Sequence, residues 1–422
     1  MKSPGASNSL AAVLAGLAFL APALPAAKVL YAELVTVTSD SFSLAWKTDR
    51  PEACAVKFGP AGKTPDQEKP ERAKSAFHFM TVSGLTPGEK YFYRLECAGY
   101  PAPRSRLSPG SFLTPTPPAG KLLFSFAIMS DLHVNEDVAG LIILPVSFLP
   151  ALSPGFVWKY PVDNYWAFTA RNAVELINTH PVEFTIVNGD LTAWFLQSEF
   201  ETAKQILDRL EKPYYVLRGN HDRVGAEPRD WFKAVFNLEE SAYVFEHKGF
   251  LFVYLDDTRL ADGMGEISQS QFAWLEKTLA ANKRQPAFIV SHRPDALGLP
   301  DITRETNSRM RAILNQNPQV VACIYGHGHK AQITFGQFAG KVLPQIMVPA
   351  TKEYPSGFGV VKVYEQGFTY NFHRTECADC LEWSDVTRNE YFGMAPSTLF
   401  KKLSDRNMVF IFPEQISRMV RQ

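Results

Sequence analysis

Five short apolar runs each stop at residues able to bind a metal ion, and this pattern restricts the fold more than any other feature of the 422-residue chain. The runs end Ile128-Met129-Ser130-Asp131-Leu132-His133, Ile186-Val187-Asn188-Gly189-Asp190, Val216-Leu217-Arg218-Gly219-Asn220-His221-Asp222, Ile289-Val290-Ser291-His292 and Ile324-Tyr325-Gly326-His327-Gly328-His329. Runs of this length and composition, bounded by turn residues, read as buried strands. They fall within strands predicted over 122–129, 184–187, 214–217, 287–290 and 320–325, with a further strand over 250–255. Helices are predicted between them over 164–178, 199–210, 268–281 and 302–314. Alternating strand and helix makes an α/β fold. In such sheets the carboxyl ends of strands open onto a shared crevice, so five strand ends converge there without any one loop being long. From 332 to 372 the pattern turns to consecutive strands, which predicts a mixed or antiparallel edge.

The residue types suit a pair of metal ions. Histidine nitrogen, aspartate oxygen and asparagine carbonyl are ligands for Zn, Mn and Fe. Asp131 and His133 stand two apart at a strand end and can face one ion. His327 and His329 have the same spacing, but the glycines before and between them let the backbone bend, so the two imidazoles can serve different ions. Taken singly, each block has a bland explanation. An Asp-x-His pair occurs by chance, and a Gly-Asp after a strand is commonly a turn. A histidine such as His292 at a strand end is more often merely hydrogen-bonded. Together they weigh more, because five of the nine histidines lie in these blocks. The other four, His78, His180, His247 and His373, read as turn or surface-like positions and receive no role.

Lysine plus arginine equals aspartate plus glutamate at 43 each. Zero formal charge argues against a nucleic-acid coat or an anionic-membrane binder, while a metal site would still attract a small anion. Residues 1–27 read as an export signal: Lys2, an apolar run from Leu10 to Leu20, then small residues and prolines, with cleavage expected between Ala23 and Ala27. This predicts a secreted or periplasmic protein. Residues 28–114 alternate as short strands. Within them, Leu85-Thr86-Pro87-Gly88-Glu89-Lys90-Tyr91 has the tyrosine-corner arrangement of sandwich domains. The region resembles a fibronectin type III domain, a fold that would place Cys54 and Cys97 on adjacent strands. A Pro-rich linker spans 115–120. Cys377 and Cys380 suit a local disulfide better than a redox or zinc motif, and Cys323 reads as a buried thiol.

The ordered set Asp-x-His, Gly-Asp, Gly-Asn-His-Asp, His and Gly-His-x-His is similar to the signature of calcineurin-like metallophosphoesterases over roughly 121–372. That resemblance implies a four-layer α/β/β/α sandwich of two mixed sheets over 121–374, followed by a C-terminal extension over 375–422. It also implies two divalent or Fe-type ions (Fe, Mn or Zn). Asp131, His133 and His329 would hold the first, Asn220, His292 and His327 the second, and Asp190 would bridge them. Paired ions about 3.5–4 Å apart lower the pKa of a shared water. Its hydroxide would attack phosphorus in line with the leaving oxygen. His221 would face the substrate and protonate the leaving group or stabilise phosphoryl oxygens. Arg223, Arg293 and Lys330 follow motif residues directly and are candidates for touching phosphate, or are ordinary rim charges.

A fibronectin-like domain ahead of such a core is similar to purple acid phosphatases, but those enzymes lack the histidine at position 133 and carry a metal-bound tyrosine at the position of Ala193. The stretch from Asp131 to Asp222, with "NAVELIN" before "VNGDLT", looks closer to class III cyclic-nucleotide phosphodiesterases. The block Ser291-His292-Arg293-Pro294, without a second histidine before the ligand, departs from them. So does the apolar insertion over 138–160, which would be a substrate wall, a membrane-touching loop or packing against the rest of the chain. The expected activity is hydrolysis of a small phosphate ester. The alternatives are a phospholipid or nucleotide-sugar pyrophosphate hydrolase that uses the insertion, and a metal-binding surface protein without catalysis.

Overall fold

The computed structural model describes residues 27–63, 65–137, 139, 164–224, 229–258, 265–294 and 302–421. Most of the expected signal and the 138–160 insertion lie outside these residues.

The first eight strands form two facing sheets. They are β1 (Val29–Val37), β2 (Ser41–Glu52), β3 (Cys54–Pro60), β4 (Gln67–Pro70), β5 (Ser75–Ser83), β6 (Lys90–Cys97), β7 (Tyr100–Pro101) and β8 (Ser111–Leu113). One sheet runs β1-β2-β5; the other runs β4-β3-β6-β7, with β8 also paired to β6. Alternating residues such as Phe42, Leu44 and Trp46 bury one face against Val56, Phe58 and Tyr93 of the other sheet. The Tyr91 hydroxyl accepts the Thr86 backbone N–H at 3.0 Å, which is the corner the spacing predicts. Cys54 and Cys97 face each other across β3 and β6 and are bonded. His78 corrects the sequence reading. It is buried on β5, stacked on Trp46 and hydrogen-bonded to Glu71 and Thr48.

The rest of the chain builds two six-stranded sheets. The first uses β9 (Leu122–Met129), β10 (Phe184–Asn188) and β11 (Tyr214–Leu217). The second uses β12 (Tyr243–His247), β13 (Phe250–Leu255), β14 (Ala287–Ser291), β15 (Val320–Tyr325), β16 (Gln332–Phe338) and β17 (Lys341–Met347). The chain then returns to the first sheet with β18 (Gly357–Tyr364), β19 (Gly367–Arg374) and β20 (Asn407–Ile411). The orders are β11-β10-β9-β18-β19-β20 and β12-β13-β14-β15-β17-β16. Both are mixed: β9, β10 and β11 are parallel, as are β13, β14, β15 and β17, while the remaining pairs are antiparallel. The consecutive strands expected over 332–372 are thus shared between the sheets.

A phenylalanine-rich layer between the sheets includes Phe126, Phe184, Phe252 and Phe288. Outside the first sheet pack α1 (Tyr165–Thr179), α2 (Gln197–Leu207) and α3 (Trp231–Phe236). Outside the second pack α4 (Gln269–Ala281) and α5 (Arg304–Gln316). The architecture is therefore the four-layer α/β/β/α sandwich, preceded by the β-sandwich. The C-terminal segment holds α6 (Ala378–Thr387), α7 (Glu390–Gly393) and α8 (Glu414–Val420). It is integral to the core: β20 extends the first sheet and Trp383 of α6 is fully buried. Cys377 and Cys380 are bonded, and Cys323 is a buried free thiol. His373 is half-buried on strand β19 rather than in a turn.

Candidate metal centre

β9, β10, β11, β14 and β15 end at one place. Five of the seven ligand candidates have left-handed backbones: Asp131 (φ 53°), His133 (47°), Asp190 (50°), His327 (62°) and His329 (49°). Non-glycine residues seldom adopt this region, and such strain persists where surrounding structure enforces it for a purpose. The glycines beside them answer to crowding. A Cβ on Gly219 would stand 2.2 Å from the backbone N and Oδ1 of Asp190, and one on Gly326 would stand 2.2 Å from Ser130 Oγ.

Two groups of ligand atoms converge, each within 4.8 Å of one another: Asp131, His133, Asp190 and His329, and Asp190, His292 and His327. Asp190 belongs to both. Asp190 Oδ2 lies 3.1 Å from His292 Nε2 and 3.5 Å from His133 Nε2. Asp131 Oδ1 lies 3.2 Å from His329 Nε2. Several of these buried atoms have no hydrogen-bond partner: Asp131 Oδ1, His133 Nε2, His292 Nε2 and Asn220 Oδ1. Orphaned buried polar atoms cost free energy unless something else satisfies them. Their clustering and mixed N and O chemistry fit cations. Burial disfavours a charged His292, yet Asp190 and Asp131 outweigh it and lift the imidazole to about 9. The same contest, with Asp131 and Glu353, lifts His329 to about 10.

The back of the centre is pinned by groups that were not singled out in the sequence. The Asp222 carboxylate accepts the backbone N–H groups of Gly219 (2.9 Å), Leu191 (3.1 Å) and Thr192 (3.0 Å), so it fixes the two loops carrying Asp190 and Asn220. Burial, with Asp190 nearby, pushes Asp222 up to about 6. Its place in the Gly-Asn-His-Asp block was the available signal. Glu136, Lys352 and Glu353 stand behind His133 and His329, and nothing in their spacing marked them.

His221 lies beside the centre, with its ring 4.6 Å from that of His133. Its backbone N–H donates to Asp190 Oδ1 at 2.8 Å and its Nδ1 donates to the Ala193 carbonyl at 3.0 Å. Burial pushes its pKa down to about 4 despite the opposing pull of Asp190. Of the three candidate phosphate contacts, Arg223 stacks on Phe195 at 4.7 Å and Lys330 is half-buried. Arg293 is no rim charge. It is buried, its N–H donates to Asp257 at 2.6 Å, and its guanidinium lies 3.8 Å from the same carboxylate.

A probable glycerophosphodiester phosphodiesterase of Arcobacter nitrofigilis is 27% identical over 164 residues, 36% of this chain and 58% of that protein. A glycerophosphodiester phosphodiesterase of Enterobacter lignolyticus is 23% identical over 167 residues, 35% of this chain and 56% of that protein. The chain thus spans a little over half the length of these curated relatives. A solved dimetal phosphatase from Danio rerio aligns at TM-score 0.47 and 14% identity, covering 61% of this chain and 98% of that one. The model of the calcineurin-like phosphoesterase family matches residues 124–331, a span that holds all five strand ends of the centre. The chain therefore carries a calcineurin-like phosphoesterase domain at its core.

Proposed function

We infer that the protein is a dinuclear-metal hydrolase of small phosphodiesters or phosphomonoesters. The membership of Asp190 in both ligand groups carries the reading, since a shared carboxylate is what two adjacent ions require. Asp131, His133 and His329 would hold one ion, Asn220, His292 and His327 the other, with Asp190 between them. The donor set suits Fe, Mn or Zn. When bound, the pair supplies an activated water and neutralises phosphoryl charge.

The chain's own residues do the rest. Because the Ala193 carbonyl can only accept, His221 Nδ1 carries a hydrogen, and Nε2 is left free to take a proton from the attacking water and pass it to the leaving oxygen. At neutral pH its low pKa leaves it a neutral imidazole, so Nε2 has no proton of its own to give. Arg223 and Lys330 remain candidates for steering phosphate.

One observation favours an apolar leaving group. Trp194 and Leu196 are 58% and 48% exposed, on the loop that also supplies the Ala193 carbonyl. The Glu199 carboxylate fixes that loop by accepting both of their backbone N–H groups. Trp194→Ala should then raise KM for an aryl phosphodiester and leave that for a methyl ester unchanged. Export fits the apolar N-terminal run and the two disulfides; the N-terminal sequence of protein recovered outside the cytoplasm tests it.

The central test is turnover of a chromogenic diester and monoester by the full chain before chelation, after it, and after return of Mn, Fe or Zn singly. Activity should vanish and come back with metal. Full turnover by metal-free protein would overturn the reading.

A further inference from the structure

The loop 348–356, between β17 and β18, reaches two places at once. Glu353 points to the metal centre, where its Oε1 lies 2.5 Å from His329 Nδ1. The next residue, Tyr354, points the other way, and its hydroxyl donates to Glu33 Oε1 on β1 of the N-terminal sandwich at 2.9 Å. The preceding residue, Lys352, bonds Glu136 Oε2 and lies 3.8 Å from Glu353 Oε2. Glu136 in turn faces His133, with its Oε1 3.3 Å from Nδ1. Lys352, Glu353 and Tyr354 are all buried. Their backbone is held as well: the Lys352 carbonyl accepts the Trp383 indole N–H at 2.6 Å, and the Tyr354 N–H donates to Thr387 Oγ1 at 3.0 Å.

Resting on the metal-ligand reading above, we propose that this loop makes the N-terminal sandwich part of the metal centre's support, with Glu136, Lys352 and Glu353 as positioning residues and Tyr354–Glu33 as the anchor. The chemistry follows from the two nitrogens of imidazole. A carboxylate behind Nδ1 holds the hydrogen there and leaves Nε2 as the ligand, with its ring fixed and its basicity raised. Glu353 is hydrogen-bonded to His329 in this way, and Glu136 Oε1 lies 3.3 Å from His133 Nδ1, close to it without completing a hydrogen bond. Lys352 between the two carboxylates keeps them from repelling each other and leaves one net negative charge behind the imidazoles. The Tyr354 hydroxyl fixes the loop's far side to a strand that contributes no ligand. A purely structural ion network would hold the fold and leave metal affinity alone, and that difference is measurable.

The test uses the full chain, with Mn(II) alone titrated against a competing chelator, bound metal counted, and melting followed without metal. Glu353→Gln and Glu136→Gln should each weaken binding roughly 10–100-fold. Tyr354→Phe, which removes only the hydroxyl, should weaken it several-fold. Lys47→Ala severs a different contact between the sandwich and the core, the 2.6 Å pair with Asp385, and should leave metal affinity unchanged. Parental affinity in both glutamate variants overturns the positioning role. A Tyr354→Phe effect no larger than that of Lys47→Ala overturns the sandwich's part in it. Should Glu353→Gln fail to fold, Glu136→Gln and Tyr354→Phe still decide the matter. A parent chain that binds no metal sinks the site reading, and this proposal with it; a parent that binds while its variants match it sinks the proposal alone.

Discussion

Two clusters of buried charge lie on either side of residues 352–354, and they are finished differently. At the interface between sandwich and core, Glu33 is fully buried and fully paired. It accepts from Arg374 Nη1 at 2.7 Å, Arg388 Nε at 2.9 Å and the Tyr354 hydroxyl. Arg374 spends its other donors on the Pro355 carbonyl and Ser384 Oγ. At the metal centre, by contrast, Asp131 Oδ1, His133 Nε2 and His292 Nε2 converge without hydrogen-bond partners. A satisfied cluster stabilises the fold as it stands, whereas an unsatisfied one costs stability until a cation arrives. The difference separates a structural site from a functional one without appeal to residue type, since both are built from acids and bases.

This contrast can be broken at either end. The largest effect should come from Asp190→Asn. Bound metal should fall from two ions to none, and turnover to background. Retention of both ions in that variant would refute its place as the shared ligand. His221→Ala should keep both ions and lose about 10²–10⁴-fold in kcat, and loss of metal stoichiometry in that variant would refute its assignment. At the interface, Glu33→Gln should leave the buried Arg374 and the half-buried Arg388 without their carboxylate and cost about 3–5 kcal/mol, read in denaturant unfolding.

Acid tests the same pairing. Burial alone would raise the Glu33 pKa, but Arg374 and Arg388 outweigh it and hold it below the ordinary 4.5. A depressed carboxylate contributes stability above its unfolded pKa and loses it as pH falls through the folded one. The parent should therefore lose this contribution only below pH 4.5, and Glu33→Gln should shed that part of the acid dependence. The smallest effect belongs to Lys47→Ala. Its pair with Asp385 is partly exposed, with side chains 26% and 17% accessible, so about 1 kcal/mol or less is expected.

The sequence revealed the ligand candidates because each ends an apolar run, and hydrophobic patterning survives without knowledge of the fold. Strands 122–129, 214–217, 250–255 and 320–325 have the predicted bounds. The tyrosine corner was equally readable, being local. What escaped was non-local. The partners of Glu33 lie 341 and 355 residues away, and no window connects them. Glu353 and Lys352 sit in a loop without periodicity. His78 was misjudged because a histidine among strand residues was taken as polar and outward, although it shares a face with Met80 and Val82, both buried. For Arg293 the sequence leaves phosphate contact or a rim charge open, and its position after His292 gives no sign of its partner Asp257, which follows β13, the neighbouring strand in the sheet.

The clamp on β1 also sets an order of assembly. Arg406 donates to the carbonyls of Leu34 and Val35, and Arg388 reaches Glu33. The first strand of the structure is thus held by side chains emerging among the last of the chain. During synthesis the sandwich can close its own core early, since its pairings are local. Its acid at position 33 must then wait in water for more than three hundred residues. The full clamp forms only after Arg374, Arg388 and Arg406 are available, so a nascent chain stalled before residue 374 would hold a folded sandwich whose Glu33 lacks both of its arginines.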